Sequence, residues 1–207
     1  MLWVAELYGF DGPSLMGFLA AVTSRVKIGL SILPLYSRSP ALLAMTAAGI
    51  DALSGGRCVL GIGASGPQVI EGFHGVVFDG PVGRVEEIVS ICRTIWRREP
   101  LAHDGRYYQI PLPEGSGLGL GKPLKLIDHP VRHSIPICVA ATGPRNVASV
   151  ARVADGWIPI FFWPERARQV WGAAIDTGQA GRDPVPRAAR SRRERHGGGR
   201  RPRGAPA

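Results

Sequence analysis

The sequence predicts an α/β fold built on a parallel sheet. Three observations lead there. Short apolar runs alternate with segments of helical periodicity along most of the chain. The runs are apolar on both faces, as expected of parallel strands covered by crossover helices. Prolines and glycines stand where such helices start and stop. Two architectures satisfy this pattern: a doubly wound open sheet and a (β/α)8 barrel. Five strands are visible, and the chain opens at the end of one, so a barrel would be incomplete.

The elements follow in order. Trp3-Val4-Ala5 reads as the end of a strand. Ser14 to Ser24 is helical, with Leu15, Phe18, Leu19 and Val22 at helical spacing. Val26 to Leu33 is a β-branched strand. Pro40 then opens a helix that runs to Leu53, and Ser54-Gly55-Gly56 stops it. Arg57 to Ile62 is the next strand, followed by a glycine-rich loop. Arg84 to Arg98 is an amphipathic helix with Val85, Ile88, Cys92, Ile95 and Trp96 on one face. Residues 99–134 hold five glycines and five prolines. That is long for a connection and reads as an insertion or lid. Strands at Ile135–Ala141 and Gly156–Phe162 then alternate with helices at Asn146–Ala154 and Pro164–Ile175.

Composition narrows the function. The 207-residue chain carries a net charge of +9, which suggests a nucleic-acid partner. The charge is not spread evenly. From Arg182 onward nine arginines face only Asp183 and Glu194, which leaves residues 1–181 at +2. The tail lacks aromatic side chains for base stacking, so nucleic-acid binding is not expected. Its Arg, Gly, Pro and Ala content predicts disorder and fits a shifted reading frame in GC-rich DNA. The expected organisation is a domain over 1–180 and a basic tail over 181–207. No stretch of about 18 apolar residues occurs, so no membrane span is expected. The N-terminus lacks the pattern of a secretory signal, and a cytoplasmic location is expected. Cys58, Cys92 and Cys138 form no C-x-x-C pair and read as buried thiols.

Two loops are candidate binding elements. Gly61-Ile62-Gly63-Ala64-Ser65-Gly66 matches G-x-G-x-x-G after a strand, with Asp79 downstream as a conceivable ribose ligand. A dinucleotide fold needs a crossover helix of about ten or more residues between those points. Only Pro67 to His74 is available, and Gly72 interrupts it. The alternatives are a loop that lets a planar cofactor approach the backbone and a plain tight turn. The second loop, Thr142-Gly143-Pro144-Arg145-Asn146, passes from strand into helix. Thr142 could cap that helix, and its free N–H groups and dipole favour an anion. His74 reads as a surface or lid residue. His103, His129 and His133 lack metal-ligand spacing, so no metal is assigned.

Several blocks carry a family resemblance. They are Trp3-Val4-Ala5-Glu6, Arg38-Ser39-Pro40-Ala41, Asp51 to Arg57, Leu60 to Gly72, Gly121 to Lys125 and Asp155 to Pro159. With them the chain resembles the luciferase-like monooxygenase superfamily, over about residues 1–180, and within it the oxidoreductases dependent on coenzyme F420. The resemblance implies a (β/α)8 TIM barrel, here with five to six strands present, that binds F420 or alternatively FMN at the C-terminal face of the sheet. It implies a non-prolyl cis peptide at Ser31–Ile32 behind the cofactor ring. Gly63, Ser65, Gly66 and Gln68 would line the ring or its side chain, and Thr142, Gly143, Pro144 and Asn146 would hold the phosphate. Glu6 stands at an acid position, while Leu7 occupies the place of a histidine found in some members. The implied reaction is hydride transfer between the reduced cofactor and a small organic substrate. The alternatives are an inactive truncated product of the same family and, below it, an FMN monooxygenase acting with O2. A basic-arm binding protein is the third class. The resemblance also allows a homodimer. An open barrel exposes strand edges, so the chain alone is expected to be marginal or to self-associate.

Overall fold

A computed structural model describes residues 1–182. The tail from Asp183 onward, and with it the reading of that segment as disordered or frame-shifted, lies outside the described residues.

The chain forms β1 (Leu2–Val4), α1 (Gly12–Val22), β2 (Ile28–Leu30), β3 (Leu33–Pro34), α2 (Pro40–Ser54), β4 (Cys58–Gly63), α3 (Pro67–Gly72) and α4 (Pro81–Trp96). There follow β5 (His103–Asp104), β6 (Gln109–Ile110), β7 (Ile137–Ala140), α5 (Pro144–Val153), β8 (Gly156–Ile158) and α6 (Pro164–Ala180). Every one of these helices has a proline in its first turn, where the missing N–H costs nothing. Asp11 and Ser39 cap α1 and α2 by accepting from the N–H groups of Ser14 and Leu42. Gly55, at φ 64°, closes α2 in the left-handed conformation that favours glycine.

The main sheet is entirely parallel, in the order β1-β2-β4-β7-β8, with β3 also on β4. Spatial order therefore follows chain order. Neighbouring helices touch in the same sequence: α1 on α2, α2 on α4, α4 on α5, α5 on α6. A doubly wound sheet reverses direction at a switch point and carries helices on both faces. Here one helical layer follows one run of strands, which is an arc of a (β/α)8 barrel. Between sheet and helices lies one core cluster that includes Leu30, Leu60, Ile62, Ile88, Trp96 and Ile137.

The far end of the arc is tied by charge. The buried Asp51 carboxylate accepts from Cys58 N and from Arg132, which also bonds the Cys58 carbonyl. Arg57 donates to the carbonyls of Ala20, Thr23, Val26 and Ser54 and to the Thr23 hydroxyl. It thereby fastens the ends of α1 and α2 to the start of β4.

Several expectations need correction. The stripe Leu15, Phe18 and Val22 is exposed, and α1 buries Gly12, Met16 and Ala20 instead. At Gly12 the packing is close: a Cβ there would lie 2.7 Å from Leu30 Cδ2. The Val26–Leu33 strand is two strands, divided at Ser31–Ile32, whose peptide is cis. The last strand ends at Ile158, and the following helix continues to Ala180. Pro67–Gly72 is a helix of its own. Within 99–134, β5 and β6 form a small antiparallel hairpin. Glu87 holds that hairpin, accepting from the N–H groups of Arg106, Tyr107 and Tyr108 and facing His103 Nε2 at 3.2 Å. Cys58 and Cys92 are buried, and burial pushes both thiols up to about 12, so neither is a ready nucleophile. No described helix is long and apolar enough to cross a membrane.

Two glycines give opposite expectations for alanine. A Cβ at Gly61 would sit 1.6 Å from the Leu30 carbonyl oxygen, whereas one at Gly49, inside α2, meets nothing within 4 Å. Gly61→Ala should cost about 3 kcal/mol or abolish soluble folding. Gly49→Ala should add about 0.5–1 kcal/mol through helix propensity. Urea midpoints of the two variants, read side by side, check this.

Candidate active site

Because the sheet is parallel, the C-terminal ends of its strands share one rim. The segments after β1, β2, β3, β4 and β7 all emerge there: Glu6, Ser31–Ile32, Leu35–Arg38, Ala64–Gln68 and Thr142–Asn146. Ser31 N–H donates to the Val4 carbonyl (2.7 Å), and Leu35 N–H to the Gly63 carbonyl (2.9 Å). The rim is thus stitched by backbone across β1, β3 and β4.

The structure brings the predicted cofactor residues together. Gly63 pairs with Ala140, which places the glycine loop beside the loop after β7. A Cβ on Gly63 would lie 2.8 Å from Ile32 Cδ1 and 3.1 Å from Ala140 Cβ. Ile32, Gly63 and Ala140 therefore form a closely packed floor. Ser65 takes a positive φ of 60°, and its Oγ is buried with no hydrogen-bond partner. Gly66 caps α3, with Gln68 Oε1 nearby. At α5 the N-cap is Gly143, and no side chain caps the helix. Thr142 therefore does not take the capping role expected of it, and the first turn of α5 keeps free donors. Pro144 opens the helix, Asn146 is half-buried in its first turn, and Arg145 is exposed beside it. Trp157 fixes the approach to this loop: its Nε1 donates to the Ala141 carbonyl (2.9 Å), and its ring packs on Trp171 at 5.6 Å.

Glu6 lies on the same rim but is fully engaged. Its carboxylate is buried and accepts from Gly12 N (2.6 Å) and from both Nη atoms of Arg38. Arg38 also reaches Asp11 (2.7 Å). Burial disfavours the Arg38 charge, but hydrogen bonds and attraction from Glu6 and Asp11 outweigh it and raise its pKa. For Asp11, slight burial is outweighed by bonds from Ser14 and by Arg38, which lower its pKa.

Three features were not visible in the sequence reading. His74 is half-buried rather than a plain surface residue, and its Nε2 is enclosed without a partner. Phe73 contacts His74 edge-on at 5.3 Å and leans on Tyr8 at 6.1 Å, so the loop after α3 reaches across to the loop after β1. Arg84 lies over Tyr36, Tyr107 and Tyr108 at 5.0–5.5 Å, beside an open groove of about 270 Å³ lined also by Arg38 and Val76. Burial, chiefly, pushes the Tyr36 phenol up to about 12, and its hydroxyl donates to the Asp79 carbonyl. The flanking glycines of His74 marked a loop, but nothing in the sequence said what that loop would cover. Among the described residues no three His, Cys, Asp or Glu side chains converge as metal ligands.

Comparison with known proteins agrees with this geometry. The sequence profile of the luciferase-like monooxygenase family matches residues 1–192. A Mycobacterium tuberculosis protein described as a coenzyme F420-dependent oxidoreductase is 42% identical over 194 residues, covering 93% of this chain and 54% of its own. The 5,10-methylenetetrahydromethanopterin reductase of Archaeoglobus fulgidus is 32% identical over 155 residues, covering 74% of this chain and 42% of its own. Among solved structures, the coenzyme F420-dependent tetrahydromethanopterin reductase of Methanopyrus kandleri superimposes with a TM-score of 0.74 at 23% identity. That match covers 87% of this chain and 54% of the reductase. The chain spans about half the length of the curated relatives it matches.

The Glu6–Arg38 pair makes a stability prediction. Arg38→Ala leaves a buried carboxylate with one remaining N–H partner and should cost about 3 kcal/mol. Adding Glu6→Gln should recover part of that loss. A double-mutant cycle on urea midpoints measures the coupling; a double variant whose loss equals the sum of the two single losses would show that the two are not coupled.

Proposed function

The chain belongs to the luciferase-like monooxygenase family, and from that premise we propose that it binds coenzyme F420 at the C-terminal rim as an oxidoreductase acting on a small organic substrate. The observation that carries this reading is the orphaned Ser65 Oγ beside the Ile32–Gly63–Ala140 floor. A buried hydroxyl without a partner costs about 1–3 kcal/mol, and a ligand atom that pairs with it offsets that cost. His74 Nε2, in the loop after α3, is a second such group.

These residues fit a flat ring carrying a phosphorylated chain. The absent side chain at Gly63 makes room for Ile32 Cδ1 and Ala140 Cβ, which close the floor. The Ser31–Ile32 backbone stands behind it, and Ser65, Gly66 and Gln68 border it. The uncapped first turn of α5, with Thr142, Gly143, Pro144 and Asn146, suits the phosphate through its N–H groups and the helix dipole. When bound, the reduced deazaflavin supplies a hydride to a substrate carbon. The protein supplies position and exclusion of water, the latter aided by the Tyr8–Phe73–His74 contact that joins the loops after β1 and α3. In this proposal Glu6 acts as a positioning residue. Its two oxygens hold Arg38 and the start of α1, so the carboxylate is already committed to structure.

A second reading, an inactive chain of the same family, draws on the exposed apolar side chains at both ends of the sheet, Trp3 at one and Phe161 at the other. FMN is the alternative cofactor, since the same phosphate and ring geometry accepts it.

Fluorescence titration with F420, with FMN as competitor, tests all three. Saturable binding that FMN does not displace is expected. Ser65→Ala should weaken binding about fivefold, the worth of one hydrogen bond, without lowering the stability of the free protein. Absence of binding by either cofactor would overturn the proposal in favour of the inactive chain.

A further inference from the structure

Charge is divided between the two ends of the sheet. The C-terminal rim segments carry Glu6, Asp11, Glu71 and Asp79 against Arg38 and Arg145. The opposite face is made by the segments that lead out of the helices toward the next strand: 23–27, 55–57, 97–102, 111–136, 154–155 and 181–182. Together they hold nine lysines and arginines against four acids, Glu99, Glu114, Asp128 and Asp155. Arg25, Lys27, Lys122 and Lys125 are exposed there. None of the four enters an ion pair among the described residues.

The same face carries a run of aliphatic side chains in water. Leu112, Leu118, Leu120, Leu124 and Ile127 are all exposed, Leu118 at 91% and Ile127 at 89%. Leu101 N–H donates to the Leu124 carbonyl (2.8 Å), and Arg98 Nε to the Leu126 carbonyl (3.1 Å). The segment is thereby fastened where α4 ends. A Cβ on Gly121 would lie 3.3 Å from Pro111 Cβ, so 112–120 is a loop with its ends together. Gly117 and Gly119, at φ 61° and 69°, bracket Leu118 at its tip. Further strands would join the sheet at β1 or β8, whereas this segment connects α4 to β7 at its middle.

We propose that this face is a peripheral docking surface for an anionic lipid bilayer. The tip of 112–120 enters the headgroup layer, and the cations around it meet the charged lipid groups. Aliphatic side chains gain by leaving water for the acyl boundary, and lysines and arginines beside them are drawn to a negative surface. A nucleic acid would match the charge alone. These segments contain no Phe, Tyr or Trp to stack on a base, and the leucines would stay in water. No described helix is long and apolar enough to cross a membrane, and contact of this kind needs none. The more acidic rim is turned away from the lipid, which leaves the proposed cofactor site open to water.

Co-sedimentation of the full chain with phosphatidylcholine vesicles, with and without phosphatidylserine, tests this. Binding is expected only with phosphatidylserine and should weaken as salt rises. Leu118→Ser combined with Leu120→Ser keeps the charge and should weaken binding about tenfold. Lys122→Glu combined with Lys125→Glu should weaken it by about tenfold or more. Both pairs change exposed side chains, so circular dichroism and urea midpoints should match the parent's. No binding to phosphatidylserine vesicles would overturn the proposal. So would binding that the leucine pair leaves unchanged, which would assign it to charge alone, that of the arginines after Arg182 included. If duplex DNA binds in place of vesicles and the lysine pair weakens it, the face belongs to nucleic acid and the proposal falls.

Discussion

The approach of β2 to β4 at Gly61 is the constraint on which the rest of the arc depends. The Leu30 carbonyl occupies the space a side chain at 61 would need, and Ile158 closes in from the same position at 3.3 Å. Only glycine allows β4 to lie this near its neighbour. Two residues on, Gly63 points to the same face of the strand, and there Ile32 takes the place of the missing side chain. Between these contacts the chain leaves β2 after Leu30, passes Ser31 and Ile32, and rejoins β4 as β3. The Gly-x-Gly spacing that resembles a dinucleotide motif thus has a different physical origin. It accommodates a neighbouring strand and its interruption, and the interruption is what brings Ser31 and Ile32 to the rim.

The two ends of the sheet solve the problem of buried polar groups differently. At the N-terminal ends Asp51 and Arg132 account for one another, and Arg57 for the backbone carbonyls around it. That end reads as fastening. At the C-terminal rim Ser65 Oγ and His74 Nε2 are enclosed without partners, and the first turn of α5 is uncapped. Unmatched donors and acceptors cost stability wherever they are buried. Their concentration at the rim matches the division of this fold into a stabilising face and an active face.

Local signals were legible in the sequence, and distant partners were not. The prolines in the first helical turns, Gly55 after α2 and the apolar runs located nearly every element, because each acts within a few residues of itself. The buried face of α1 was misjudged for the opposite reason. Periodicity ranked Leu15, Phe18 and Val22 as the face to bury, but α1 turns Gly12, Met16 and Ala20 inward, with Gly12 close against Leu30. Long pairings leave no periodic trace either. Asp51 meets Arg132 across 81 residues, and Glu6 meets Arg38 across 32. The sequence therefore gave no sign that the Glu6 carboxylate bonds Arg38 and Gly12 N. The glycine loop and the loop after β7 were both recognised. Their adjacency rests on the β4–β7 ladder, which no single-sequence pattern reveals.

Strand order also determines what an incomplete arc puts at risk. The unpaired sheet edges belong to β1 and β8, and Trp3 and Phe161 are left in water beside them. The proposed cofactor loops spring from β2, β3, β4 and β7, each of which lies inside those edges. One strand on either side separates them from the open edge. The floor of Ile32, Gly63 and Ala140 is built from neighbours that are all present, and so is the backbone stitching from Ser31 to Val4 and from Leu35 to Gly63. Fraying at an edge would first cost β1 its hold on Ser31, and β8 its hold on the Ala141 carbonyl through Trp157. The rim is then weakened from its two flanks inward, while the β4 centre, bonded on both sides, gives way only with the core itself.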